Sequence, residues 1–350
     1  MKKFAFVVGC RPDIPKNYPI VKELKSRGIS FIIIHTNQHK DAKMSSSLFE
    51  EMGYKADYVL PEPYSMGRAL DKVKEILIKE NVDTVIVNGD TAATLIGALA
   101  AMYTDKEIVH VEAGLRSYDK DMLEERNRIM VDAMAHYMLT YTESQAELLY
   151  ETPALRGEVH VVGNITLDLL EDFKDRLVHL YPEKFFYITL HRKEFTDHKE
   201  RMLTVFSALK EVSEVTGLTG IFPMHPRTLD CCQRYGIDYQ KELGDKIEVM
   251  EPVSAFSSMS FQRDAEFIIT DSGCIQEEAC MLNTPCITVR ENTERPETIK
   301  IGSNVLVGFN PKLIVYNAVD IVNKGKTTYP KIYGEPGVGS RIVDIITKPI

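Results

Sequence analysis

Short apolar runs recur along this chain, separated by segments of helical pattern. The first half has runs at 4–8, 31–35, 84–87, 107–111, 137–141 and 159–162. The second half has them at 185–190, 219–223, 247–250, 267–270, 286–289 and 305–307. The runs are continuous, not alternating, which predicts strands buried on both faces of parallel sheets. Residues 16–25, 92–102 and 199–215 carry helical patterns between them. Two successive βα series, each of about six strands, predict an α/β fold of two doubly wound, Rossmann-like domains facing across a cleft. The join falls near residues 167–182, where helix, charge and proline mark a connector. The expected division is residues 1–167, residues 168–330, and a C-terminal segment 331–350. The helix expected at 340–347 packs back across the junction.

In such sheets ligands bind outside the carboxyl ends of the strands, so the polar residues that follow each run are the candidates. The most telling stretch runs from Ile268 to Glu297. A buried strand breaks at Asp271-Ser272-Gly273, a helix follows over 275–282, and a second strand leads into Arg290–Glu297. Ser272 and Gly273 open a helix whose free N–H groups and positive end suit a phosphate. Glu278, one turn further on, suits the two hydroxyls of a ribose. The plainer reading of Asp271 or Ser272 is a helix cap.

Elsewhere Arg11 and Lys16 follow the first strand as candidate anion ligands. Asp90, Glu112 and Glu124 arise at one edge of the first sheet. Several carboxylates without metal-ligand histidine spacing point to proton transfer, which works when environments drive paired pKa values apart. The alternative for Glu124 and Glu125 is dipole-favoured first-turn acids. His191-Arg192 and His225-Pro226-Arg227 stand at consecutive strand ends in the second half.

Composition narrows the field. Lys plus Arg is 42 against 51 Asp plus Glu, a net charge of −9. That disfavours broad nucleic-acid binding. The opening MKKFAFVVG reads as a first strand and not a signal peptide, and no run approaches the roughly 18 apolar residues of a membrane span. The six cysteines match no zinc pattern and suit free thiols in a reducing cytosol. No G-x-G-x-x-G follows the first strand and no Walker A sequence occurs, so NAD enzymes and NTPases are disfavoured.

Taken in order, G-C-R-P-D, N-Q-H, G-D-T, H-V-E-A-G-L-R, E-E-R-N-R, V-G-N, H-R-K-E, H-P-R-T, E-P-V, T-D-S-G-C-I-Q-E-E and T-E-R-P-E-T resemble the non-hydrolysing UDP-N-acetylglucosamine 2-epimerases. These have the glycosyltransferase-B fold, and the likeness spans residues 4–346. It implies reversible inversion at C2 to UDP-N-acetylmannosamine, by proton removal, elimination of UDP to 2-acetamidoglucal, and re-addition. It implies Asp90, Glu112 and Glu124 as acid/base residues, with the base for each face unassigned, and His191 assisting at the leaving phosphate. Arg11, Lys16, His225, Ser272, Gly273 and Glu278 would hold UDP. Arg116, Asn127, Glu294 and Arg295 would line the sugar and the cleft. It also implies a cytoplasmic homodimer without metal or redox cofactor, binding a UDP-sugar and neither nucleic acid nor membrane.

The chain departs from the family pattern at several points. Pro15 precedes Lys16, read here as a first-position helix proline. Leu123 replaces a proline, and Ser258 stands where many members carry an aromatic residue against the uracil. Cys274 replaces a glycine, and would be strained if that position needs positive φ. Residues 61–72 lack the G-x-Q-T motif of a region that some bacterial members use for activation by substrate, so such regulation is expected to be weak or absent. Competing readings are a 2-epimerase of another UDP-sugar such as UDP-2,3-diacetamido-2,3-dideoxyglucuronate, a hydrolysing epimerase, a nucleotide-sugar-binding protein without catalysis, and a glycosyltransferase.

Overall fold

The computed structural model describes residues 2–38, 42–61, 65–153 and 155–348, with residues 42–46 described by their backbone. The chain divides into two compact units, Met1–Asp172 with Tyr333–Ile350, and Phe173–Ile332.

The first unit is built on β1 (Phe4–Val8), β2 (Phe31–His35), β3 (Tyr58–Val59), β4 (Thr84–Asn88), β5 (Glu107–Val111), β6 (Tyr137–Thr140) and β7 (Glu158–Val161). Their order is β3-β2-β1-β4-β5-β6-β7, all parallel. β1 and β4 are buried along their whole length, as the unbroken apolar runs require. The chain builds outward from β1 to β3, then returns to place β4 on the other flank of β1. The gap between the carboxyl ends of β1 and β4 is therefore the switch point where ligands of such sheets bind. β3 went unpredicted because two residues make no period.

The first helix spans Asp13–Ser26, three residues longer at its start than the pattern suggested. Pro15 falls in its first turn and not at its first position. An N–H there has no intrahelical acceptor, so the proline loses nothing. Pro19 lies inside the same helix. There it meets Gly339 of the C-terminal helix Val338–Ile346, where a Cβ would come 2.7 Å from the Pro19 carbonyl oxygen. Asp168 caps that last helix from a distance: its Oδ1 accepts from the N–H groups of Gly337 (2.6 Å) and Val338 (3.0 Å), and its Oδ2 from that of Gly339 (2.8 Å). Val338, Ile342, Val343 and Ile346 are buried, and the helix packs on Asp13–Ser26, within the first unit.

The second unit repeats the plan with β8 (Phe185–Thr189), β9 (Thr219–Pro223), β10 (Ile247–Met250), β11 (Ile268–Thr270), β12 (Cys286–Thr288) and β13 (Asn304–Leu306), ordered β10-β9-β8-β11-β12-β13. Its switch point lies between β8 and β11. Phe186 and Phe267 stack at 5.1 Å in its core, each a side chain whose burial contributes about 2–3 kcal/mol. The helix Lys199–Thr216 covers them and stops at Gly217, whose φ of 73° ends it in the left-handed conformation that glycine adopts without strain.

Among the described residues no helix is long and apolar enough to cross a membrane. None of the six cysteines is bridged, and among the described residues no cluster of His, Cys, Asp or Glu is placed to hold a metal. His39 of the N-Q-H motif and residues 62–64 of the region expected to bear on regulation lie outside the described residues.

Candidate active site

In the first unit the candidates gather at the carboxyl ends of β1, β4 and β5. Glu112 follows β5 with a φ of 73°. A non-glycine side chain in that region is strained, and such strain collects at functional sites. Its carboxylate is buried and lies 2.5 Å from the Lys16 ammonium. A Cβ on Gly89 would stand 3.4 Å from Glu112 Oε2, which puts the turn after β4 against the same carboxylate. Arg11 lies in the loop after β1. That loop is pinned by Asp13, which accepts from the N–H groups of Gly9 (2.8 Å) and Cys10 (3.1 Å). Burial pushes the Asp13 carboxyl up against the pull of these donors. Arg11 Nε is buried and has no hydrogen-bond partner among the described residues, as a donor awaiting an anion would.

Asp90 follows β4, half-buried. Arg128 donates to its Oδ2 through Nη2, and Asn127 Nδ2 donates to its backbone carbonyl at 2.8 Å. Asn127 therefore fixes Asp90 and is turned away from solvent. Glu124 and Glu125 open the helix Leu123–Met134 with opposite fates. Glu124 is exposed and makes no hydrogen bond or ion pair among the described residues. Glu125 is buried, accepting from Ser117 N–H (2.8 Å), Tyr118 N–H (3.1 Å) and Arg128 Nη1 (3.0 Å).

Arg116 turns inward. Its Nη2 sits 2.6 Å from Asp132 Oδ2, and His110 Nδ1 is 2.6 Å from Asp132 Oδ1. His110 Nε2 meets the Gly89 carbonyl oxygen at 2.9 Å. Burial works to raise the Asp132 carboxyl, but its contacts with His110 and Arg116 outweigh it and hold it low. Arg128, Asp132 and Asp13 escaped the sequence reading. Apolar periodicity could not find them, because each is a polar residue at a buried helix position.

In the second unit β8, β9, β11 and β12 present their ends side by side. Asp271, fully buried, accepts the N–H groups of His191 and Arg192 on Oδ2, both at 2.8 Å. His191 Nδ1 lies 3.5 Å from its Oδ1. The His191 ring stacks on His225 at 5.1 Å. His225 caps the helix Pro226–Tyr235, its Nδ1 accepting from Arg227 N–H at 3.1 Å, so its Nε2 carries the proton in the neutral ring.

Ser272 is the N-cap of the helix Gly273–Met281, with no side-chain cap bond of its own. Cys274 is helical and is not among the residues with positive φ, so it is unstrained. Glu278 accepts from Gln262 Nε2 at 2.6 Å, and Gln262 and Tyr187 both reach the Ser258 hydroxyl, at 3.3 and 3.0 Å.

Glu294 and Arg295 belong to a buried network. Arg290 grips Glu294 with two bonds of 3.0 Å, and Arg295 bonds Glu294 at 3.2 Å and Glu277 at 2.6 Å. Burial opposes the Glu294 charge, but Arg295 and Arg290 hold its carboxyl far below the usual range. Arg192 stands 3.9 Å from Glu294, so three guanidinium groups face two carboxylates.

Two parallel, doubly wound units, with functional groups crowded at the switch point of each sheet, define a protein of the glycosyltransferase-B type. The chain belongs to the UDP-N-acetylglucosamine 2-epimerase family, whose sequence model matches residues 22–347; it is an epimerase, and so an isomerase. The UDP-N-acetylglucosamine 2-epimerase of Methanocaldococcus jannaschii is 36% identical over 368 residues, 99% of each chain. The crystal structure of a M. jannaschii UDP-GlcNAc 2-epimerase in complex with UDP-GlcNAc and UDP matches with a TM-score of 0.87, covering 99% of each chain. The UDP-2,3-diacetamido-2,3-dideoxy-D-glucuronate 2-epimerase of Pseudomonas aeruginosa is 32% identical over 359 residues, 99% of each chain.

Proposed function

We propose that this chain inverts C2 of UDP-N-acetylglucosamine reversibly, giving UDP-N-acetylmannosamine. A carboxylate takes the C2 proton, the C1–O bond breaks with its electron pair leaving on UDP, and a C1=C2 double bond forms. Protonation at C2 from the other face and return of UDP to C1 complete the step, with no net redox change. Asp90, Glu112 and Glu124 carry the proton transfers, and His191 meets the leaving phosphate. Arg11, Lys16, His225, Ser272, Gly273 and Glu278 hold UDP. Arg116, Asn127, Glu294 and Arg295, bound up in internal contacts, shape the walls around the sugar.

The observation that carries this reading is the set of three carboxylates around one sheet end, each in a different setting. Glu112 is buried against Lys16, Asp90 is held by Arg128, and Glu124 is open to solvent. Such differences are what separates acid from base. The first unit supplies the proton-transfer carboxylates with Arg11 and Lys16, and the second supplies His191 and the remaining nucleotide ligands. We place the reaction in the cytosol, where unbridged cysteines stay reduced, and in a homodimer, which light scattering on the purified protein tests.

The test of function is proton NMR with UDP-N-acetylglucosamine in D2O. A growing UDP-N-acetylmannosamine anomeric signal, with deuterium entering C2, supports the proposal. Exchange confined to the diacetamido-uronate sugar would move the assignment to that substrate, and free N-acetylmannosamine in place of its UDP form would mark hydrolysis.

A further inference from the structure

We propose that Arg128 is a positioning residue for proton transfer, holding one oxygen of Asp90 so that the other alone exchanges a proton. The inference rests on the reading of Asp90 as an acid/base residue. Arg128 is 2% exposed. It gives Nη2 to Asp90 Oδ2 and Nη1 to Glu125 Oε2 at 3.0 Å. Asp90 Oδ1 makes no hydrogen bond among the described residues. The neighbouring Asn127 holds the Asp90 carbonyl at 2.8 Å, so one helix turn fixes both backbone and side chain of a residue at the end of β4.

The guanidinium is shared, and sharing matters. Its second carboxylate, Glu125, is itself tied to Ser117 and Tyr118 by backbone N–H groups. The guanidinium is thereby anchored, and Asp90 keeps a fixed orientation. The forked guanidinium can bridge two carboxylates, which the single ammonium of lysine cannot do in the same geometry. Fixing the reacting oxygen removes rotational freedom that would otherwise be lost at each turnover.

The test reads the partition of the intermediate between its two faces. Wild type, R128K, R128M and D90N are run in D2O from UDP-N-acetylglucosamine, and early deuterium at C2 is measured in recovered substrate and in product. Thermal melting checks folding. A positioning role lowers R128K turnover about 100-fold and shifts the substrate-to-product deuterium ratio in the direction that D90N shifts it. R128K decides the matter where R128M does not fold. A folded R128K with the wild-type ratio, whatever its rate, overturns the proposal, as does failure of both variants to fold, which would make Arg128 purely structural. Wild type that puts no deuterium at C2 sinks the epimerase reading itself, a result distinct from an unchanged ratio.

Discussion

The Lys16 ammonium stands 2.5 Å from the Glu112 carboxylate although the two residues are 96 positions apart. The carboxylate is 3% exposed and the ammonium 14%. Both charges are largely out of water. Breaking a buried ion pair by removing one partner costs about 3–5 kcal/mol. K16M should lose stability on that scale in urea unfolding, and the double variant K16M/E112Q should recover most of it. A double variant no more stable than K16M would show that the pair is not what holds this corner. E112Q alone should reduce epimerisation at least about 100-fold and, because it also breaks the pair, melt below wild type.

Asp132 gives an acid-stability prediction. Burial alone would raise its carboxyl, yet His110 and Arg116 hold it below the ordinary range. The folded value is the lower one, so its contribution is complete above the unfolded value of roughly 4 and is lost as pH falls through the folded value. D132N should therefore be less stable than wild type at neutral pH, with the gap narrowing in acid. Equal gaps at pH 7 and pH 3, from urea curves at both, would count against the charge network.

Gly273 packs where no side chain fits. A Cβ there would stand 2.9 Å from Arg295 Nη1 and 3.1 Å from its Cζ. Arg295 cannot give way cheaply, because its Nε is bonded to the buried Glu277 at 2.6 Å. G273A should cost about 1–3 kcal/mol through overpacking and weaken UDP binding in calorimetric titration. Wild-type affinity in G273A would separate the nucleotide from this helix end.

The sheets were legible in the sequence because parallel strands buried on both faces leave unbroken apolar runs. β3 was not, since Tyr58–Val59 is too short to carry a pattern. The strand-end motifs located the switch points, where Arg11, Asp90, Glu112, His191 and Ser272 all fall. What stayed hidden was which polar side chains face inward. On Leu123–Met134 the buried positions include Glu125, Asn127, Arg128, Val131 and Asp132, so four of those five are polar and apolar periodicity is silent. Glu124 and Glu125 look alike in a sequence. Bonds to Arg128 and to the N–H groups of Ser117 and Tyr118 hold Glu125 inside, while Glu124 is left exposed. Arg116, Glu294 and Arg295, expected to line the sugar and the cleft, are held by ion pairs that the sequence does not display.

The cysteines offer a reporter for the nucleotide site. Cys10, Cys231, Cys232, Cys280 and Cys286 are buried, and Cys274 is half-exposed. Burial pushes the Cys286 thiol up to about 12 and the Cys232 thiol up to about 11, and it raises Cys10 and Cys280 as well. A thiol that stays protonated and covered reacts slowly. Native labelling with a chromogenic disulfide at pH 8 should show one fast thiol, and C274S should abolish that phase. Cys274 is the second residue of the helix that Ser272 caps and Gly273 opens, where phosphate oxygens would meet the free N–H groups. Saturating UDP should therefore slow the fast phase. If UDP binds by calorimetry but leaves the labelling rate unchanged, the diphosphate does not sit at this helix end, and the roles given to Ser272 and Gly273 fall with it.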